Sequence, residues 1–283
     1  MAVKLVLFIL LLAWLIKASS PTSSSMSKPE CQDMCGNVVI PYPFGIGAGC
    51  YMDPFEVFCD ESSLPHKPYI GSINLELLEV SLEGTVRVNN SVLSSNCQDK
   101  APTADVSLSG SPFSFSDTRN WFTALGCGNL ALIHSQDMVI GGCVSICNKT
   151  VKKRSCNGIN CCQITIPPDL KFINATFIRI SASQDHKECK VAFMVDKEWF
   201  QSSLIDRYRV LDYVPVVLEW GISDGTCIDW SQRNSTGGYS TDLCGTSAYC
   251  SNKIGIYYGC SCYEGYEGNP YLSCQGNSSA KLI

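Results

Sequence analysis

The chain has 283 residues, 45% of them apolar and 17% charged, with 18 cysteines and a formal net charge of −5. That apolar share excludes a disordered chain. The acidic balance excludes nucleic acid as a ligand, because phosphates require a basic face. At the N-terminus, Lys4 precedes an unbroken apolar run over residues 5–16, and small residues follow at Ala18, Ser19 and Ser20. This is the layout of a secretory signal peptide over residues 1–20 rather than of an anchor, since twelve apolar residues span a ~30 Å bilayer poorly. No later run approaches the ~18 apolar residues of a stop-transfer helix. The expected location is therefore extracellular, with membrane attachment only in a longer product. Loss of Lys4 and Lys17 leaves 21 − 2 = 19 bases against 26 acids, a mature net charge near −7.

Residues 21–30, PTSSSMSKPE, read as a polar linker. From Cys31 onward, turn residues alternate with short β-type runs. The expected strands are 37–40, 55–58, 70–88 (alternating in places, with Ile73, Leu75 and Leu77 on one face), 163–166, 172–180, 191–195 and 214–218. Long helical periodicity is absent, and only residues 197–203 suit a helical turn or two. The fold class is mainly β and disulfide-rich, with short strands and loops.

An even, high cysteine count behind a signal peptide points to disulfides. Zinc needs clustered thiolates or imidazoles, and the three histidines, His66, His134 and His186, are scattered. Asn-x-Ser/Thr acceptors at Asn89, Asn148, Asn174, Asn234 and Asn277 suit the same compartment. Twelve cysteines run from Cys31 to Cys189 and six from Cys227 to Cys274, so each group can close internally. Adjacent Cys161 and Cys162 are expected to reach two different partners, because bridging neighbours is strained. The connectivity of the twelve stays open at this level.

The run Cys260-Ser-Cys262-Tyr-Glu-Gly265-Tyr266, followed by Cys274, resembles the C-terminal half of an EGF-like module. Gly265 suits its hairpin turn, since glycine takes positive φ at little cost. The resemblance implies pairs Cys227–Cys250, Cys244–Cys260 and Cys262–Cys274. A module of ~50 residues cannot build a sufficient core, and such bridges stand in for one.

Further motifs are CGNVVIPYPFGIGAGC (35–50), FEVFC (55–59), SDTRNWFTALGC (116–127), GGCVSIC (141–147), CNGINCCQITIP (156–167), VPVVLEW (214–220) and GYEGNPYLSC (265–274). In this order they resemble the extracellular region of plant wall-associated receptor kinases. The resemblance implies a cysteine-rich galacturonan-binding-like domain over 31–130 and a further cysteine-rich β region over 131–220. An EGF-like module over 227–274 and a tail over 275–283 follow. The sequence departs from that family in one respect: members continue into a transmembrane helix and a kinase, and this sequence, ending in QGNSSAKLI, is expected to be truncated before both. The kinase signatures Val-Ala-x-Lys, His-Arg-Asp and Asp-Phe-Gly are absent from the sequence, so kinase activity is not carried over. The acidic calcium-binding lead-in of some EGF modules is also missing ahead of Cys227, where residues 223–226 read SDGT.

Gly221, Ser223 and Gly225 fit a Gly-x-Ser-x-Gly elbow, but such a hydrolase needs a histidine after its serine, and all three precede Ser223. A turn into the C-terminal module is the expected role. No motif singles out a glycosidase carboxylate pair or a phosphate-cradling loop. The chain is expected to be a non-enzyme with no cofactor.

The resemblance implies pectin, a polymer of galacturonic acid, as the ligand. A row of carboxylates wants Lys or Arg and binds with salt-dependent affinity. No acid lies between Asp137 and Asp169, and that interval holds Lys149, Lys152, Lys153 and Arg154 between Cys147 and Cys156. These four are the expected ligand-binding residues, set against a plain solvated loop that a glycan on Asn148 would partly cover. Arg87, Arg119, Lys171 and Arg179 join them if the fold gathers them. Tyr42 and Phe44 suit either sugar stacking or the core. The alternative function is a secreted EGF-like protein-interaction module, with receptor kinases as partners.

Overall fold

The computed structural model describes residues 26–95, 106–126, 128–146, 148, 156–180, 190–202, 212–222, 243–252 and 258–276. The expected signal peptide, half of the linker and all but two residues of the tail lie outside these. The elements run in order β1 (Met34–Cys35), β2 (Val38–Val39), β3 (Val57–Asp60), β4 (Lys67–Ile70), β5 (Leu75–Ser81), β6 (Thr85–Ser91) and β7 (Leu93–Ser95). Then come β8 (Val106–Ser107), β9 (Phe113–Phe115), β10 (Asn120–Leu125), β11 (Asn129–Ser135), β12 (Met138–Ser145), β13 (Cys161–Ile164), β14 (Phe172–Arg179) and β15 (Lys190–Asp196). A short helix α1 (Lys197–Ser202) precedes β16 (Tyr213–Trp220), β17 (Ala248–Asn252), β18 (Tyr258–Cys262), β19 (Tyr266–Asn269) and β20 (Ser273–Gly276). Strands dominate, in line with the short β-type runs and the absence of helical periodicity in the sequence.

Three sheets carry the fold, with orders β3-β4-β5-β6-β16-β9, β13-β10-β15-β7 and β12-β11-β14-β8. Strands β15 and β16 are continuous apolar runs buried on both faces, the pattern of a strand with no solvent side. On β15 the period of two divides the side chains between two clusters. Val191, Phe193 and Val195 join Leu125, Phe200 and Val214. Ala192 and Met194 join the main core. Strand β16, from the expected 131–220 segment, lies between β6 and β9 of the 31–130 segment. Strand β15 likewise pairs with β10 and β7. The two segments share sheets and one core.

Trp220 closes that core. Its ring meets Phe44 edge-on at 5.1 Å, Phe55 at 5.2 Å and Tyr271 at 5.9 Å. Phe113 approaches Phe55 at 6.0 Å in a T-shape. Such contacts each add about 0.5–1.5 kcal/mol beyond area burial. Phe44 is fully buried, which assigns it to the core rather than to sugar stacking. Tyr42 is half-buried, with the Lys28 ammonium 4.5 Å above its ring.

The disulfides follow the same logic of pinning loops. Cys31–Cys50 and Cys35–Cys59 tie the N-terminal turn to β3. Cys161 bonds Cys156 while its neighbour Cys162 bonds Cys143. The structure bonds Cys244 to Cys260 and Cys262 to Cys274, two of the three pairs the resemblance implies. Cys250 is also disulfide-bonded, and Cys227 lies outside the described residues. Gly265 takes φ +80° at the turn between β18 and β19.

The C-terminal hairpins do not hang free. Asn269, fully buried, donates from Nδ2 to the carbonyls of Met26 (2.7 Å) and Tyr42 (2.6 Å). Its Oδ1 accepts from the Tyr271 amide at 2.9 Å. Ile222 and Tyr258 exchange backbone hydrogen bonds at 2.9 and 3.1 Å. Burial pushes the Tyr271 phenol up to about 12, which keeps it neutral in the core.

Asn269→Ala should cost about 1–3 kcal/mol, because it removes the side-chain donor from the Tyr42 carbonyl and leaves the Met26 carbonyl with the Tyr42 amide alone. Asn269→Asp, which keeps the shape and loses the donor, should cost at least as much. Thermal unfolding and limited proteolysis of the C-terminal hairpins would show it. Unchanged melting in both variants would mean that the hairpins are not held by this amide.

Candidate functional site

The four expected ligand-binding residues, Lys149, Lys152, Lys153 and Arg154, lie outside the described residues. Both flanks of their segment are described, and both attach to one turn. Ile146 bridges Ile159 in parallel. Its amide donates to Gly158 O at 2.8 Å and its carbonyl accepts from Asn160 N at 2.8 Å. The Asn160 side chain then holds Asn148 twice, accepting from its amide at 3.1 Å and donating to its carbonyl at 2.8 Å. At the other flank, Cys156 is bonded to Cys161, and Cys162 to Cys143 on β12. Asn160 takes φ +60°, which asparagine tolerates better than other non-glycine residues. The two described flanks, Asn148 and Cys156, are therefore held at one clamp, made of residues 156–162 and the end of β12.

The other expected bases have structural partners or separate positions. Arg87 Nε lies 3.1 Å from Asp196 Oδ2, with its N–H not aimed as a hydrogen bond, and Arg87 Nη1 lies 3.5 Å from Glu79. Asp196 is 1% exposed and also accepts from the Glu198 amide at 2.9 Å at the start of α1. Arg119 pairs with Glu198 at 3.6 Å on the surface. Lys197 donates to Thr118 O at 2.5 Å and stands 5.7 Å from the Trp121 ring. The fold thus brings Arg87 and Arg119 to the β15–α1 corner, each beside a carboxylate. Lys171 donates to Ser111 O at 2.7 Å, and Arg179 is exposed at the end of β14. Arg87, Arg119 and Lys171 are thus engaged elsewhere, whereas Arg179 lies in register with Asn129 and Ser145, at the clamp end of β12.

Of the glycan acceptors, Asn89 donates from Nδ2 to Glu76 Oε2 at 2.8 Å. Asn174 lies opposite His134 in the β11–β14 pair. Asn148 is the clamp residue itself. Asn234 and Asn277 lie outside the described residues. Exposed aromatic side chains that sequence reasoning did not single out include Phe58 on β3 and Tyr249, Tyr263 and Tyr266 on the C-terminal hairpins. Tyr249 and Tyr263 rest 5.2 Å apart. Their exposure left no mark in the pattern, because aromatic residues in short strands read as core.

Glu219 is a buried carboxyl near the end of β16. Burial raises it above its ordinary 4.5; a hydrogen bond from Ser116 opposes the shift, and Asp117 and Asp169 add to it. The protonated form is thus favoured by folding.

Residues 31–90 match the family model for wall-associated receptor kinase galacturonan-binding, and residues 153–226 match that for wall-associated kinase. Wall-associated receptor kinase 2 of Arabidopsis thaliana is 34% identical over 267 residues, covering 88% of this chain and 34% of that protein. Wall-associated receptor kinase 5 of the same plant is 33% identical over 274 residues, covering 88% and 34%. Wall-associated receptor kinase-like 10 is 29% identical over 300 residues, covering 86% and 38%. The chain spans about a third of the length of these relatives. No solved structure matches it.

Two tests follow from the charges. Arg87→Ala should destabilise by about 3 kcal/mol, because it leaves buried Asp196 uncompensated. Arg119→Ala should stay within about 0.5 kcal/mol, as exposed pairs do. Equal losses in denaturant melts would contradict this division. For Glu219, the stabilising contribution is fully present below pH 4.5 and fades as pH rises through its raised folded value. Glu219→Gln should therefore gain on wild type between acidic and neutral pH, and a pH-independent difference in Tm would refute the reading.

Proposed function

Because the chain carries the extracellular domains of the wall-associated receptor kinase family, we propose that it is an extracellular, cell-wall polysaccharide-binding module whose ligand is pectin. The observation that carries this reading is the match of residues 31–90 to the galacturonan-binding model. Kinase activity belongs to the relatives, as their names say, and is not transferred to this chain.

Charge decides where the polymer contacts the protein. The matched segment holds two bases, Lys67 and Arg87, against eight acids between Asp33 and Glu83. Lys67 is paired with Glu76 at 3.4 Å and Arg87 with Asp196. A polyanion approaching that segment alone meets mostly like charge. The acid-free interval between Asp137 and Asp169 supplies the missing cations at Lys149, Lys152, Lys153 and Arg154. The clamp at Asn148, Cys156 and Asn160 supports this assignment, since fixing both flanks of a segment lowers the entropy lost on binding. Domain limits of 31–130, 131–220 and 227–274 are retained as sequence units within the shared core.

A second reading rests on a different surface. Tyr249, Tyr263 and Tyr266 are 43–52% exposed on the C-terminal hairpins, and aromatic side chains of this kind are enriched at protein interfaces. They favour a protein contact by the EGF-like module, with receptor kinases as the expected partner class.

Titration calorimetry with de-esterified oligogalacturonide should give binding that weakens steeply with salt. Replacing Lys149, Lys152, Lys153 and Arg154 by Ala should lower affinity by about tenfold or more, as expected for losing several contacts to a polyanion. A folded variant with wild-type affinity would remove the segment from the site. Salt-insensitive or absent binding by the wild-type protein would overturn the pectin reading and leave the protein-contact one.

A further inference from the structure

The sheet β12-β11-β14-β8 turns one face to the core and the other outward. Ile173, Ala175 and Phe177 of β14 pack into or against the core, as do Ala131 and Ile133 of β11. The period of two therefore points the residues between them the other way. Those residues form rows across three strands. Asn174 lies beside His134 and Val139, Thr176 beside Leu132 and Gly142, and Ile178 beside Leu130 and Val144. None of these positions holds an acid, a lysine or an arginine. Val139 is 55% exposed, Ile178 49% and Val144 44%. Contiguous apolar surface of this kind marks a contact or needs a cover.

The face contains its own attachment point. Asn174-Ala175-Thr176 is an Asn-x-Ser/Thr acceptor, and both Asn174 and Thr176 belong to the outward rows. Among the described residues, the Asn174 side-chain amide has no hydrogen-bond partner. Asn89 differs, since its Nδ2 donates to Glu76 at 2.8 Å. Thr176 is exposed, with its Oγ1 2.8 Å from His134 Nε2. In the row below Asn174, the Leu132 side chain leans over Gly142, where a Cβ would come 2.7 Å from it. No side chain stands out from β12 in that row.

We propose that Asn174 carries an N-linked oligosaccharide whose first sugars lie along this face and cover it. The transfer forms a bond from Asn174 Nδ2 to the anomeric carbon of an oligosaccharide carried on a lipid diphosphate. It breaks that carbon's bond to the diphosphate oxygen, and the lipid diphosphate leaves as one amide proton is released. Tethering at the head of the face gives the sugars a high local concentration there. A pyranose ring turns C–H groups to an apolar surface and hydroxyls to water, so the bulky, solubilising glycan replaces exposed Ile178 and Val144 with polar surface. Four residues along β14 separate Asn174 from Ile178, about 13 Å at the rise of a strand, which a few linked sugars span. The proposal does not rest on the pectin reading.

Peptide mapping of the protein secreted from eukaryotic cells tests occupancy. Nuclear Overhauser contacts from sugar protons to the methyls of Leu130, Leu132, Val144 and Ile178 test placement. Both measurements use the wild-type protein, and the expected result is an occupied Asn174 that shows such contacts. Asn174→Gln removes the acceptor and should raise binding of an apolar dye several-fold in a variant that still unfolds cooperatively. Thr176→Ser keeps an acceptor and should leave dye binding at the wild-type level. An unmodified Asn174 overturns the proposal. So does an occupied Asn174 whose sugars touch none of these methyls, or dye binding that Asn174→Gln leaves unchanged.

Discussion

The ring of Trp220 is the point on which four distant parts of the chain converge. Phe44 and Phe55 come from the N-terminal disulfide-pinned turns, Phe113 from β9, and Tyr271 from the last hairpin. Trp220 itself ends β16, the strand that joins β6 to β9. Its Nε1 donates to Ser81 O at 3.2 Å and its amide to Gly84 O at 2.9 Å. The ring is thereby anchored to the β5–β6 turn as well. Most of its surroundings are other rings, which pack densely and hold fixed angles. The N-terminal segment, the middle sheet and the C-terminal hairpins therefore share one core rather than three small ones.

Short strands create a second constraint. Every strand end and turn leaves backbone groups that must find a partner, and there is little helix to absorb them. Buried and half-buried asparagine amides take that role, since one side chain offers both a donor and an acceptor with peptide-like geometry. Asn120 does so across sheets: its Nδ2 donates to the Val217 carbonyl at 2.6 Å and its Oδ1 accepts from the Val217 amide at 2.9 Å. Asn269 does it between the first and last parts of the chain. Asn160 does it at the clamp beside the basic segment. In each case a side chain supplies the pairing that a longer strand would have made.

The strands that sequence made legible are those whose physics is local. Residues 191–195 and 214–218 are apolar runs of strand length, and they fall within β15 and β16, buried on both faces. Residues 172–180 correspond to β14, and 197–203 to α1. The expected run 70–88 is divided by turns into the end of β4, then β5 and β6. Strands β10, β11 and β12 escaped notice because glycines and polar residues interrupt or flank them: Gly141 and Gly142 within β12, Gly126 and Gly128 between β10 and β11, and buried Asn120 and Asn129 at the strand starts. Those interruptions are explained only by non-local partners, such as Val217 for Asn120 and Leu132 for Gly142. The different partners of Cys161 and Cys162 were legible, because bridging adjacent cysteines is strained. Which partners they take was not, since that depends on how β12 and β13 approach.

The same non-local logic separates the cations that hold the fold from those available to a ligand. A base beside a buried carboxylate, as Arg87 is beside Asp196, cannot turn to a polymer without leaving that carboxylate uncompensated. An exposed pair such as Arg119 with Glu198 can exchange partners at little cost, but its own carboxylate then faces the incoming polyanion. Only a basic stretch with no acids of its own escapes both penalties. In this sequence the interval between Asp137 and Asp169 meets that condition, and its flanks return to a single disulfide-bonded turn. Under the proposed function, the acid-rich segment 31–90 contributes packing and disulfides, and the attraction for a carboxylate polymer is assigned to this acid-free interval. A site built in this way places recognition outside the segment that most resembles the binding family, and that follows from where charge can remain unpaired.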